Sequence, residues 1–406
     1  MSKSWLAIAL FAITASWIAI QCLSIPQTWL SMISPNTASL YAFADGTHQG
    51  ISLDASISWL QFHKTLALLL LFTLTLILVD SYKRLKLLAY IIVFSGFLQA
   101  MAALLLNLSG ISYSVNEYTY SITDMNIPSS ARATGFNSNP DHLAGWLEMS
   151  LAVGIGLLIS MLSDQNFRNW RQRLRHYSQT ILGPKARLRF ILVILCITLV
   201  MTHSRMGNSA FFASLIIAGS MFIFLSRHAA KSVTIFLTSL IIIDIIIIGS
   251  WFGLSRVIER INQTTTITEA QRGDVYADTF AMIHDFSLTG IGAGNFFSAF
   301  PAYKIQGPSY YIDHVHNDFL EFTLNLGLIG TAPLFLLLLL CLWTIIHNLR
   351  KRRSSLILGI NFASLMGITS ILIHSSVDFN LQVPANAALF TMLVALPFVS
   401  RNLKAS

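Results

Sequence analysis

The sequence predicts an all-α integral membrane protein: a polytopic helical bundle of ten to about twelve spans carrying one large external loop. Three observations predict it. Of 406 residues, 54% are hydrophobic and only 11% are charged, against roughly 25% charged in a soluble domain. Apolar runs of about 20 residues, long enough to cross a bilayer as helices, recur along the chain. The runs are continuously apolar rather than alternating, which excludes a closed β-barrel.

In order, spans are expected near 4–24, 58–79, 86–107, 142–162, 190–204, 208–226, 233–253, 324–346, 355–374 and 385–400. Lys3 gives the first run a positive start, but the run is long and no small-x-small cleavage site follows. It therefore reads as a span rather than a secretory signal. Cys22, Cys196 and Cys341 all fall in expected spans, far apart and odd in number, and imply neither a disulfide framework nor a zinc site.

Net charge is +8, and the positions of the charges say why. With the N-terminus in the cytoplasm, all but seven of the 26 Lys and Arg residues fall on the inside, including the run Arg350-Lys351-Arg352-Arg353. That is the positive-inside bias, and it removes nucleic acid as the explanation of the basic balance. Both termini are expected in the cytoplasm. The segments 25–57, 108–141, 254–321 and 375–384 are expected outside; 80–85, 163–189, 227–232 and 347–354 are expected inside. There is no internal repeat and no linker, so residues 1–406 read as one membrane domain with 254–321 as its large external loop.

In that loop, Thr268-Glu-Ala-Gln271 resembles a capping box. The helix it opens is expected to run to about Leu288, burying Val275, Phe280, Met282 and Ile283. Gly290-Ile-Gly292-Ala-Gly294 follows; its spacing is not a dinucleotide fingerprint, and the glycines predict a tight turn with close backbone approach.

Seven basic residues remain outside: Lys64, Arg132, Arg205, Arg256, Arg260, Arg272 and Lys304. Arg205 sits in the tight turn Thr202-His203-Ser204-Arg205, and Arg272 in a first helical turn, where the dipole disfavours a cation. These two are the strongest anion-binding candidates. Arg132 precedes the polar segment Gly135–His142 and is a further candidate, whereas Arg256, Arg260 and Lys304 read as solvated surface. Two carboxylates lie within spans: Asp244, and Glu148 at a depth where Lys64 can pair with it. Both read as packing groups.

Polarity is densest at Tyr311-Ile-Asp313-His314-Val-His316-Asn317-Asp318-Phe-Leu-Glu321, at the mouth of a span. Ionisable groups are expensive at membrane depth and usually functional there. Arginines with a histidine suit a lipid-linked diphosphate donor. Guanidinium groups stabilise the charge that develops on the leaving diphosphate, and a histidine takes the proton from the attacking hydroxyl. His316 is the candidate base; His314, Asn317 and Glu321 are further contacts. A metal on His314-x-His316 with Asp313, Asp318 and Glu321 is the alternative, but no His-Glu-x-x-His helix or second cluster supports it.

His316-Asn317 followed by Gly327-Leu-Ile-Gly330-Thr331 resembles the signature of the O-antigen ligase and polymerase superfamily. So do the Ser204-Arg205 turn, Arg272 with Thr289 through Phe296, Arg132 through Leu147, and His374-Ser-Ser-Val-Asp378-Phe-Asn380-Leu-Gln382-Val-Pro384-Ala-Asn386. The pieces cover roughly residues 130–400; residues 1–80 carry little of the pattern. The resemblance implies a bacterial inner-membrane glycosyltransferase, inverting and metal-independent, with no cofactor and its site facing the periplasm. Its donor would be an undecaprenyl-diphosphate-linked glycan, with His316 activating the acceptor and Arg205 and Arg272 on the diphosphate. Family ligases have about twelve spans, more than the ten read here. The first reading is a ligase onto lipid A–core; the alternative is a polymerase of O-antigen or exopolysaccharide repeats, whose compact ending Phe379-Asn380-Leu381-Gln382 resembles. A transporter of the lipid-linked glycan is a third, disfavoured because the charges gather at one face.

Overall fold

The computed structural model describes residues 4–41, 50–109, 113–115, 118–120, 132–137, 139–162, 183–227, 229–251, 267–304 and 312–403. Their regular elements are helices, apart from a two-stranded antiparallel ribbon pairing Tyr113–Val115 with Tyr118–Tyr120. Seven helices are long and apolar enough to cross a membrane: Ala55–Leu78, Tyr82–Ser109, Pro140–Ser160, Arg205–Leu225, Asp318–Lys351, Ser355–His374 and Pro384–Asn402. The remaining expected spans also form helices, at Trp5–Gln21, Pro184–Met201 and Lys231–Trp251. Pro184–Met201 opens with Lys185, Arg187 and Arg189, so its first turns are basic rather than apolar. Arg256 and Arg260 lie outside the described residues, as do 254–266 and 305–311 of the expected loop. Asp244 lies in the helix Lys231–Trp251.

The chain divides into two compact units. One comprises Met1–Leu74, Ile247–Leu340 and Ser375–Pro384; the other comprises Thr75–Ile246, Cys341–His374 and Ala385–Ser406.

The first unit is built around a broken helix. Asp318–Lys351 is interrupted at Gly327, whose φ of 63° and ψ of −178° are not helical. A break at membrane depth frees carbonyls that lipid cannot satisfy, at several kcal/mol each, so the protein must satisfy them. It does so from two directions. Ile291 and Gly292 donate backbone N–H groups to the carbonyls of Leu324 and Asn325, at 3.0 and 3.1 Å. Helix Trp5–Gln21 supplies side chains: Gln21 Nε2 to Asn325 (3.0 Å) and Thr289 (2.8 Å), Trp17 Nε1 to Leu326 (2.8 Å), and Thr14 Oγ1 to Gly330 (2.9 Å).

The expected tight turn is present, since Gly290, Gly292 and Gly294 all have positive φ. The approach is too close for any other residue: a Cβ on Gly290 would stand 2.5 Å from the Asn325 carbonyl oxygen, and one on Gly327 would stand 2.2 Å from that of Leu288. Beside this knot runs the helix Ile267–Asp285. Thr268 lies inside it rather than at its cap, and it ends short of Leu288. Val275, Met282 and, partly, Ile283 pack on Phe286, Phe296, Val315 and Leu324, each apolar side chain contributing about 1.5–3 kcal/mol when fully buried. Phe280 does not join them and is 58% exposed, because it lies off the Val275–Met282 face.

In the second unit, Pro140–Ser160 is buried along nearly its whole length. It packs most extensively on Ser355–His374, where a Cβ on Gly156 would stand 2.3 Å from the Gly359 carbonyl oxygen. Small residues let the two backbones meet, the usual device where lipid removes a hydrophobic drive.

Candidate functional site

The break at Gly327 makes the first part of Asp318–Lys351 a short helical stub, and the polar stretch is its N-terminal entry. Asn317 caps it: Oδ1 accepts from the backbone N–H of Phe319 (3.0 Å) and Leu320 (3.2 Å), while Nδ2 donates to the Ser376 carbonyl (2.8 Å). A cap requires the preceding chain to turn sharply, and His316 absorbs the turn with φ of 55°. A left-handed conformation is uncommon for any residue but glycine, and such strain gathers at functional positions. Tyr276, from helix Ile267–Asp285, fixes the strained peptide by donating its hydroxyl to the His316 carbonyl at 2.9 Å.

The His316 ring is thereby aimed at segment 375–384. Its Nδ1 lies 3.7 Å from Asp378 Oδ1, with the side chains 33% and 9% exposed. That is an ion-pair separation longer than a hydrogen bond, and Nδ1 has no hydrogen-bond partner among the described residues. Phe379 meets His316 edge-on (4.9 Å between centroids) and stacks on His314 (4.2 Å, 18° between planes).

The rest of the stretch holds this arrangement. Glu321 Oε1 lies 2.7 Å from His314 Nδ1 and its Oε2 accepts from the Val315 N–H at 3.1 Å. Burial alone would lower the His314 pKa, but the hydrogen bond and charge of Glu321, with Asp313 and Asp318 behind it, bring it above the ordinary value. Asp318 is buried. Its Oδ2 accepts from Ser375 Oγ (2.6 Å) and the Leu381 N–H (2.8 Å), and its own N–H donates to the Ser375 carbonyl (2.9 Å). Two segments far apart in sequence, 312–321 and 375–382, are thus laced together around His316.

The arginines are placed differently. Arg272 lies in helix Ile267–Asp285 four positions before Tyr276, so positions 272 and 276 share a helix face. Arg205, in the second unit, is the first residue of Arg205–Leu225, where Ser204 Oγ caps the Gly207 N–H at 3.1 Å. It is exposed and forms no ion pair among the described residues. Arg132, also in the second unit, is committed: its guanidinium donates to Asp141 Oδ1 (2.6 Å) and to the Thr202 carbonyl (2.8 Å). Lys64 and Glu148, expected as partners, each have others. Lys64 Nζ donates to the Gln382 carbonyl. Glu148 accepts Ser370 Oγ at 2.5 Å and lies 2.8 Å from His374 Nδ1, all of it buried.

Sequence reasoning placed His314, His316, Asn317 and Glu321 together, and the structure does so too. It missed Asp378, Phe379 and Tyr276 as partners of His316, and Asp318 as the tie to Ser375 and Leu381. Among the described residues no three His, Cys, Asp or Glu side chains are grouped to hold a metal ion; Glu321 occupies His314, and His316 faces Asp378.

A bundle of long apolar helices with a strained histidine at the mouth of a broken one defines a multi-span membrane protein with a built polar site. Residues 190–335, which include Arg205, Arg272, His314 and His316, match the family model described as O-antigen ligase, and this segment carries that family's domain. The match is to that segment, which lies within a chain carrying seven helices long and apolar enough to cross a membrane. No curated protein matches the chain.

Proposed function

We propose that the protein is a membrane glycosyltransferase that moves a glycan from an undecaprenyl diphosphate to an acceptor sugar hydroxyl in the bacterial periplasm. The observation that carries this reading is His316: a strained, half-exposed imidazole whose Nδ1 faces the Asp378 carboxylate. A proton on Nδ1, directed at Asp378, leaves Nε2 as an acceptor, and the carboxylate stabilises the imidazolium that forms. The acceptor oxygen bonds to the anomeric carbon as that carbon's bond to the diphosphate oxygen breaks, inverting the centre. The hydroxyl proton passes to Nε2, and the diphosphate leaves with the bonding electrons. Arg205 and Arg272 supply the positive charge for that leaving group, which is the work a divalent cation does elsewhere; the reaction then needs no metal or cofactor. His314, Asn317 and Glu321 hold the base, and Arg132 braces the turn before Arg205.

The charge bias along the chain supports a site facing the periplasm with both termini in the cytoplasm. The family match supports lipid-linked glycan as donor. The first assignment of the acceptor is lipid A–core, making the protein a ligase; the alternative is the growing glycan itself. Purified protein in detergent with premade donor and acceptor tests the enzyme: transfer that survives chelator treatment supports it, and no transfer from a folded protein refutes it. Deletion followed by a lipopolysaccharide gel then separates the acceptors. Bare core means ligase, core with a single repeat means polymerase, and an unchanged ladder means another polysaccharide. Cysteines at Ser287 and Arg353 fix orientation, since only the former is expected to react with an impermeant reagent added from the periplasm.

A further inference from the structure

Several buried or half-buried polar groups take no part in that reaction, and one of them has an unexplained cost. Lys64 is the only Lys, Arg, Asp or Glu between Asp54 and Asp80, and it lies inside the apolar helix Ala55–Leu78. A cation in such a helix is costly and default-functional. Its ammonium is turned inward, donating to the Gln382 carbonyl at the end of the 3-10 turn Asn380–Gln382 that follows Asp378 and Phe379. Gln382 follows Leu381, whose N–H Asp318 accepts, so the ammonium is joined to the Asp318 side of the site through one peptide.

Two carboxylates close the two sides of the site. Asp318 holds Ser375 and Leu381 on the Asp378 side; Glu321 holds His314 and Val315 on the His316 side. Asp318 carries a buried Oδ1 with no hydrogen-bond partner among the described residues. A buried carboxylate left partly unsatisfied favours an opposite charge nearby, and Lys64 is the cation held against the turn whose Leu381 N–H Asp318 accepts. We propose that Lys64 is a positioning residue for His316: it anchors the turn that carries Asp378 and is the counter-charge for the Asp318 and Glu321 carboxylates that lace the site together. The inference rests on His316 as the base, but its structural half is testable without the reaction.

The test is Lys64→Met, which keeps length and apolar stem and removes donor and charge. Hydrogen exchange of the purified protein is expected to quicken in peptides covering 312–323 and 375–384, and to stay unchanged in those covering 140–160. In the transfer assay kcat is expected to fall by about 10²-fold, the cost of a misplaced reacting group, with the donor KM unchanged. Lys64→Arg, which keeps charge and a donor, is expected to retain most of the protection and the rate. If Lys64→Met does not accumulate as folded protein, Lys64→Gln, a donor without the charge, carries the same comparison. Unchanged exchange in both segments overturns the proposal whatever the activity. So does a raised donor KM at unchanged kcat, which would make Lys64 a contact of the donor anion. His316→Ala run alongside keeps the two readings apart: full activity there removes the base, while the exchange result still decides on Lys64.

Discussion

Each unit contains a histidine beside a carboxylate, and the two pairs are built in opposite ways. His374 and Glu148 are 1% and 0% exposed, 2.8 Å apart, and further bonded by Ser370. They sit on regular helices whose close packing leaves nothing to adjust. His316 and Asp378 are 33% and 9% exposed and 3.7 Å apart, and His316 is held at a positive φ by its neighbours. A satisfied polar pair inside a bundle specifies packing, because removing either member strands the other in low dielectric. A more widely spaced pair on a strained backbone is the arrangement expected where a ring nitrogen must stay available. Both pairs set an imidazole beside a carboxylate; they differ in spacing, exposure and backbone strain.

That contrast is breakable. The largest effect is expected at His316: alanine there lowers turnover by roughly 10²–10⁴, the usual worth of a positioned general base, with the melting temperature close to that of the parent. His374→Ala is expected to do the reverse. It takes one buried partner from Glu148 while Ser370 remains, costs about 1–3 kcal/mol of stability, and changes turnover per folded molecule little. A folded, inactive His374→Ala would erase the distinction between the pairs.

A smaller effect is expected at Arg272→Lys. An ammonium cannot present the planar fork that grips a diphosphate, and losing part of a charged hydrogen bond worth about 1.5–3 kcal/mol weakens donor use by roughly tenfold to a hundredfold. Donor KM and kcat measured on the purified variant check this. The smallest effect concerns His314. Its pKa in the folded protein is raised through Glu321, so its contribution to stability is fully present below the unfolded value of about 6.5 and is lost as pH rises through the raised value. Melting temperature is therefore expected to decline over that window in the parent and to lose the decline in His314→Gln. A decline that persists unchanged would place its source elsewhere.

Much of this molecule is legible in its sequence, and the parts that are not share a cause. Each of the ten apolar runs is a helix, because a run that apolar has no other way to satisfy its backbone in lipid. The stretch around His316 stood out by its density of charge. The break at Gly327 was not read, since Asn325-Leu326-Gly327 looks like ordinary span until its partners, Ile291 and Gly292, are brought to it. Asp378 was visible as part of a polar segment but not as the partner of His316, because the pairing depends on two distant segments laced through Asp318. Arg132 looked like a free cation for the same reason; Asp141 lies only nine residues on, but the turn that joins them is not a helix. Phe280 was placed in the core by its hydrophobicity, and the helix phase turns it out. Local periodicity carries helices. Contacts between segments carry the site.

Chemical rescue of His316→Ala tests the central claim most directly. Single-turnover transfer by the purified variant is expected to be slow in buffer and to rise, saturably, with added imidazole at a pH where the free base is present, while Arg205→Ala shows no such rise. Parent-like turnover by His316→Ala without imidazole would contradict the account, because the proposed base would then be dispensable.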